Sequence, residues 1–217
     1  MDWKIFPETI LNSSNPPFYH WFEDGLANTC YNAVDRHVLS GLGKKTAIIY
    51  DSPVTNSKEY LSYHELLLKV SKFGAALKQK GIKKGDRVIV YMPMALEAII
   101  AMLACARIGA IHSVVFGGFA AAELAVRIDD ATPKAILAGS CGIEVDKVIE
   151  YKPLLDEAIM LASHSPDFCV ILQRPQSFSK LIEGRDYEWE SFQDGFDGCE
   201  CKPVKGSDPL YILYTSG

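Results

Sequence analysis

The sequence contains no Cys-x-x-Cys pair, no run of Lys or Arg longer than two and no G-x-G-x-x-G. Its most apolar stretch, residues 94–122, is broken by Glu97, Arg107, His112 and several glycines. That falls well short of the ~18 uninterrupted apolar residues a membrane span needs. Met1 is followed by Asp-Trp-Lys, so neither a basic start nor an apolar secretory core is read there. Each absence closes a class. Without a basic face there is no nucleic-acid partner to expect. Without an apolar span there is no membrane partner. Cys199 and Cys201 form a C-x-C pair, but no His or Cys close in sequence completes a four-ligand metal site, so none is assigned.

What is present is ordinary for a folded chain. The 217 residues are 48% apolar and 23% charged, with a formal charge of −5. That composition excludes disorder as the main state and allows one domain or at most two small ones. Six cysteines are scattered along the chain, Cys105 within an apolar helical run. This usage suits a reducing compartment where buried thiols act as small hydrophobes.

Residues 1–40 read as an approach segment, punctuated by prolines and rich in aromatics, with a short helix over 28–40 that stops at Gly41. From 41 onward strand and helix patterns alternate. Strands are expected over 46–50, 59–61, 86–92, 111–116, 134–138, 168–172 and 210–214, the last a buried one. Helices are expected over 94–108, 120–130 and 152–163. A further helix follows the capping box formed by Ser62 and Glu65, with Leu66, Val70, Phe73 and Leu77 at helical spacing and Gly81 as its stop. Residues 139–142 read as a loop, and 173–208 as irregular. Such alternation predicts an α/β fold, a mostly parallel sheet with helices on both faces.

The last strand runs into Thr215-Ser216-Gly217. A strand emptying into small hydroxyl and glycine residues is one way to cradle a phosphate, because backbone N–H groups converge and a ligand can approach closely. The same four letters from Tyr214 also suit an ordinary turn. His112 reads as a hydrogen-bonded core histidine, Arg107 as a cation at a helix C-terminus, and Asp35-Arg36-His37 as caps and salt bridges. Cys141, without a basic neighbour, reads as an inert thiol.

Four stretches in order carry a resemblance. Trp21-Phe22 with Asn32 through His37 resembles the entry helix of the short-chain acyl-CoA synthetases. Gly85-Asp86, then Tyr91-Met92-Pro93-Met94 and Met102 through Ala110, is similar to their first sheet crossover. His112 through Phe119, continuing to Arg127-Ile128-Asp129, is the most specific match. Asp208 through Gly217 is similar to their strand into the ATP phosphate loop. The chain thus resembles, from about Trp21 to Gly217, the acetyl-/propionyl-CoA synthetases of the acyl-adenylate-forming superfamily. Gly142-Ile143-Glu144 with Tyr151 through Ala158 is more similar to propionate–CoA ligases.

The resemblance implies the first part of the large N-terminal domain of such an enzyme, with residues 1–40 as its approach segment and 41–217 as the truncated AMP-binding part. It implies a reaction in which a carboxylate and ATP give an acyl-adenylate and pyrophosphate, and CoA then displaces AMP. ATP, CoA and Mg2+ are the implied cofactors, and a short-chain carboxylate the remaining small-molecule substrate. Thr215, Ser216 and Gly217 would bind the ATP phosphates. Gly118, Glu144, Val145, Asp146 and Lys147 would lie along CoA. The departure is in residues 144–147, where acetate ligases carry two arginines for a CoA phosphate and this chain carries Glu144 and Lys147. Glu144 cannot take an anion as Arg does, which leaves Lys147 as a point charge.

No catalytic residue is assigned, since the family's phosphate-loop Lys, acyl pocket, ribose-binding Asp and adenylating Lys would all follow Gly217. These 217 residues alone are therefore expected to be inactive and to expose apolar surface. The compartment would be the cytoplasm in a bacterium and the mitochondrial matrix in a eukaryote. A dinucleotide-dependent oxidoreductase lacks its fingerprint here. Acetate preference, or a non-catalytic CoA-binding module, remain the alternatives.

Overall fold

The computed structural model describes residues 1–145 and 147–215. Six strands form one parallel sheet: β1 (Arg87–Met92), β2 (Ile111–Phe116), β3 (Ala135–Gly139), β4 (Phe168–Leu172), β5 (Asp186–Glu188) and β6 (Tyr211–Ile212). Their spatial order is β5-β4-β3-β1-β2-β6. The four central strands are near-continuous apolar runs, as a sheet covered on both faces requires.

Among the described residues five α-helices flank it: α1 (Tyr63–Gln79), α2 (Leu96–Ile108), α3 (Ala121–Ala131), α4 (Tyr151–Leu161) and the single turn α5 (Trp189–Phe192). Alternation along each strand sorts the core into two layers. Val88, Val90, Leu137 and Val170 point toward α1, α2 and α5, where Phe73 stacks on Trp189 with centroids 4.0 Å apart. Ile89, Tyr91, Ile136 and Ile171 point toward α3 and α4, meeting Leu124, Ile128 and Leu155. Helices on both faces of a parallel sheet are thus present as the pattern predicts.

Local signals place the helix ends. Ser62 Oγ accepts from Glu65 N, and the Glu65 carboxylate accepts from Ser62 N at 2.8 Å, so the capping box forms and α1 starts at Tyr63. Gly81 and Gly109 take φ of +92° and +76° just beyond α1 and α2, a conformation glycine adopts without penalty.

Three expectations are corrected. Residues 139–142 are not merely a loop: Cys141–Glu144 pairs antiparallel with Lys147–Glu150, because the exit from β3 folds back into a hairpin before α4. The irregular stretch 173–208 contains β5, which lengthens the sheet, α5, and Val204–Lys205, which pairs with Leu26–Ala27. The last strand is shorter than residues 210–214 and is not buried. Only Tyr211–Ile212 pair, as an edge strand on β2, and Tyr211 and Leu213 are 55% and 67% exposed. On the same side Val114 and Phe116 are also exposed. An additional hairpin, Thr46–Ser52 with Ser57–Ser62, precedes α1.

Candidate functional site

In a parallel sheet every strand points its C-terminal end to the same edge. From β1 the chain crosses to β2 on one side, whereas from β3 it crosses to β4 on the other. The crevice between β1 and β3 is therefore the topological switch point, where open α/β sheets take ligands. The strands deliver Pro93, Gly117-Gly118, Ser140-Cys141, Gln173-Arg174 and Thr215 to this edge.

A cavity of about 180 Å³ opens there, lined by Pro93, Met94, Phe116, Gly117, Ile143, Glu144, Tyr151 and Arg174, with residues of the 46–62 hairpin opposite. A second cavity of about 310 Å³ adjoins it, sharing Tyr50, Thr55 and Arg174 and reaching Glu97.

Two tyrosines shape the crevice. Tyr91 ends its buried run with the hydroxyl beneath the β2 turn, where it accepts from Gly118 N at 3.3 Å and donates to Phe119 O at 2.9 Å. Burial pushes its phenol up to about 12, so it stays neutral and keeps both roles. Tyr151, first residue of α4, lies 5.3 Å from the Tyr91 ring and wedges between two glycines. A Cβ at Gly142 would overlap Tyr151 Oη and Cζ; one at Gly117 would come within 2.5 Å of its ring and 2.9 Å of the Met92 backbone. The glycines are thus explained by packing on the ring. Burial, then the nearby Glu144 charge, raises the Tyr151 phenol.

The structure brings Gly118 and Glu144 together, although they are far apart in sequence. Gly118 has φ of +94°, and a Cβ there would lie 2.9 Å from Glu144 Oε1. Val145 sits at the hairpin tip with φ of +54° and is largely in solvent, and the register sets Lys147 opposite Glu144. Thr215 leaves β6 on the same edge and is exposed. Asp146, Ser216 and Gly217, also expected at the site, lie outside the described residues.

The segment before Thr215 is anchored. Tyr214 Oη donates to Asp130 Oδ2 at 2.5 Å, and burial together with that carboxylate pushes its phenol up to about 12. The Arg127 guanidinium covers the Tyr214 and Phe119 rings at 5.1 and 4.8 Å, so α3 connects the β6 exit to the β2 turn.

Sequence reasoning missed Arg174 and Ser140. Ser140 is buried and its hydroxyl donates to Ser177 O while accepting from Arg174 N. Arg174 Nη1 donates to Cys141 O at 3.0 Å, which sets a guanidinium against the start of the hairpin. It is a cation for an anion at this edge where residue 144 is acidic. No local motif marks it; only the adjacency of β3 and β4 does.

The remaining sequence readings resolve as follows. Arg107 does close α2, but it is buried rather than a solvated cap and pairs with Asp35 at 2.8 Å. His112 is not a hydrogen-bonded core residue at Nδ1: that atom is buried with no partner among the described residues, and burial lowers the ring pKa to about 4. Cys141 is fully buried.

The chain matches a family model described as AMP-binding enzyme over residues 36–217, and one described as acetyl-coenzyme A synthetase N-terminus over residues 1–33. It is 52% identical over 215 residues to an uncharacterized protein of Pseudomonas aeruginosa, covering 99% of this chain and 34% of that one. To mouse acyl-CoA synthetase short-chain family member 3, mitochondrial, it is 52% identical over 208 residues, covering 95% and 30%. To the acetyl-coenzyme A synthetase of Cupriavidus metallidurans it is 45% identical over 213 residues, covering 96% and 32%. The chain spans about a third of the length of these relatives.

Proposed function

Because the chain belongs to the AMP-binding enzyme family, we propose that it is part of an ATP-dependent, AMP-forming short-chain acyl-CoA ligase acting on propionate. The observation that carries this reading is the meeting of the Gly117-Gly118 turn with the hairpin at residues 141–150 over a crevice at the switch point of a parallel sheet. Short-chain acids support it through the names of the mouse and Cupriavidus proteins. Propionate rests on residues 142–144 and 151–158, and acetate is the second reading.

In this proposal the acid and ATP give an acyl-adenylate and pyrophosphate, and the CoA thiol displaces AMP. A carboxylate is a poor electrophile, and attaching AMP supplies the leaving group. Charge on the phosphates then calls for fixed donors. Thr215 begins the turn proposed to offer them, with Ser216 and Gly217. Mg2+ is assigned to the nucleotide, with no ligand named from the described residues.

CoA is proposed to run along the Gly118 turn and residues 144–147. The fit there is partial. Lys147 and Arg174 can meet an anionic phosphate, but the Glu144 carboxylate repels one. Lys147 is exposed and Arg174 is tied to a carbonyl, so the charge offered to CoA is weaker than an arginine pair would give. Residues 1–40 are proposed as the approach segment and 41–217 as the front of the adenylating domain, inactive alone. The six cysteines are unpaired, which supports a reducing setting, bacterial cytoplasm or mitochondrial matrix.

The test is ATP–pyrophosphate exchange by the full-length gene product with acetate, propionate and butyrate in parallel. Strongest exchange with propionate is expected. Strongest exchange with acetate would keep the ligase and replace the substrate. Absence of exchange with every acid, alongside CoA binding, would replace the enzyme with a CoA-binding module.

A further inference from the structure

At the opposite edge of the sheet, where α2 ends and β2 begins, three distant stretches converge. Cys30 comes from the helical turns at 29–42, Arg107 from the last turn of α2, and Cys201 from the segment before Val204–Lys205. The two sulfurs and a carboxylate oxygen of Asp35 lie within 4.8 Å of one another. One nitrogen of Arg107 serves all three, at 2.8 Å from Asp35 Oδ2, 3.1 Å from Cys201 Sγ and 3.6 Å from Cys30 Sγ. Its Nε also donates to Cys199 O at 2.6 Å. Cys30 and Arg107 are buried, whereas Cys201 is half-buried and lines a cavity of about 560 Å³ with Lys4, Asn28 and Glu200.

A metal ion is a poor occupant. The guanidinium already bonds all three ligand atoms, and a divalent cation would set its charge against it. Two inert thiols are a poor description as well. Burial pushes the isolated thiols of Cys105 and Cys169 up to about 12. Cys30 goes the other way, lowered by its hydrogen bond with Cys201 and by the Arg107 charge, despite its burial. The pair therefore sets a buried sulfur held by a guanidinium beside a second sulfur that solvent reaches, an arrangement in which thiol–disulfide exchange can run.

We propose that Cys30 and Cys201 are a redox modification site, closed to a reversible disulfide by a small-molecule disulfide entering through this cavity. The Cys201 thiol, which donates to Asp35 Oδ2 at 3.6 Å, gives its proton to solvent and attacks one sulfur of the oxidant. The oxidant's S–S bond breaks, one thiolate leaves, and Cys201 carries a mixed disulfide. Cys30 gives up its proton to that thiolate and attacks Cys201 Sγ, releasing the second small thiolate, which takes a proton from solvent. Two electrons pass from the protein to the oxidant, whose disulfide becomes two thiols. Arg107 stabilises the thiolate at each stage and keeps Asp35 and the Cys199 carbonyl as partners afterwards. The link ties the N-terminal helical turns to the segment before Val204–Lys205, which already pairs with Leu26–Ala27.

The experiment equilibrates the full-length gene product with reduced and oxidised glutathione at graded ratios, alkylates free thiols and maps peptides by mass spectrometry. The expected result is a Cys30–Cys201 linked peptide, two hydrogens lighter than its parts, that grows with the oxidised fraction and disappears with dithiothreitol. Cys199→Ser should leave it unchanged. Cys30→Ser should stop at a glutathione adduct on Cys201, and Cys201→Ser should leave Cys30 unmodified. Alkylation of both thiols at the most oxidising ratio, or a peptide linking Cys201 to Cys199, would overturn the proposal. The parent protein alone decides this if either variant fails to fold.

Discussion

Gly142→Ala tests whether Tyr151 locks the hairpin to the Gly117-Gly118 turn. Gly142 lies in an extended strand without positive φ, so alanine meets no backbone strain. The three atoms it meets most closely all belong to Tyr151: it overlaps Oη and Cζ and lies 2.9 Å from Cε1. Tyr151 is itself buried among Tyr91 and two glycines, so the ring cannot swing clear without disturbing α4 or the β2 turn. Overpacking of this kind costs about 1–3 kcal/mol. Tyr151→Ala alone should cost about 3–5 kcal/mol through the lost ring and its cavity. In that background the added methyl finds space, and Gly142→Ala should cost less than about 0.5 kcal/mol. The coupling, about 1–3 kcal/mol, is within the range for residues in contact. Urea unfolding of the four proteins measures it. Equal costs of Gly142→Ala in both backgrounds would refute the wedge. With the ligase reading, Gly142→Ala should lower thioester formation more than pyrophosphate exchange, because the hairpin is assigned to CoA.

Glu144→Arg should lower the KM for CoA by about tenfold, the worth of one charge-assisted contact; steady-state kinetics at saturating ATP and acid checks it. Ser62→Ala should destabilise α1 by about 1 kcal/mol through loss of the cap, read from the urea midpoint. His112 should make stability fall as the pH drops. Burial holds its folded pKa at about 4 against about 6.5 in the unfolded chain, so protons bind the unfolded state first. That contribution is present above pH 6.5 and is lost toward pH 4, at most about 3 kcal/mol. His112→Asn should flatten this part of the pH profile in thermal melts.

Legibility followed the range of the interactions. The 86–92 and 168–172 strands stood out because a doubly covered parallel strand must be apolar throughout. The α1 start was readable because its cap joins residues three apart. The 210–214 run misled for the same reason that made the others clear. Apolarity cannot distinguish a central strand from an edge strand, and Tyr211 and Leu213 face solvent. The hairpin at 141–150 was hidden because its turn residues lack the Asn-Gly or Asp-Gly signature. Gly118 and residues 144–147 were proposed through a resemblance, and Arg174 was not proposed at all.

The sequence by itself determined the order of the main strands and helices between residues 46 and 172, the start of α1, the ends of α1 and α2, and the parallel class of the sheet. Each depends on neighbours within a turn, or on a strand's own apolar run. Tertiary structure alone decided which ends meet. It seated Tyr151 between Gly117 and Gly142, brought Glu144 to Gly118, and enclosed Arg107 between Asp35, Cys30 and Cys201. Those partners are set by the crossover order of the strands, which no local pattern encodes.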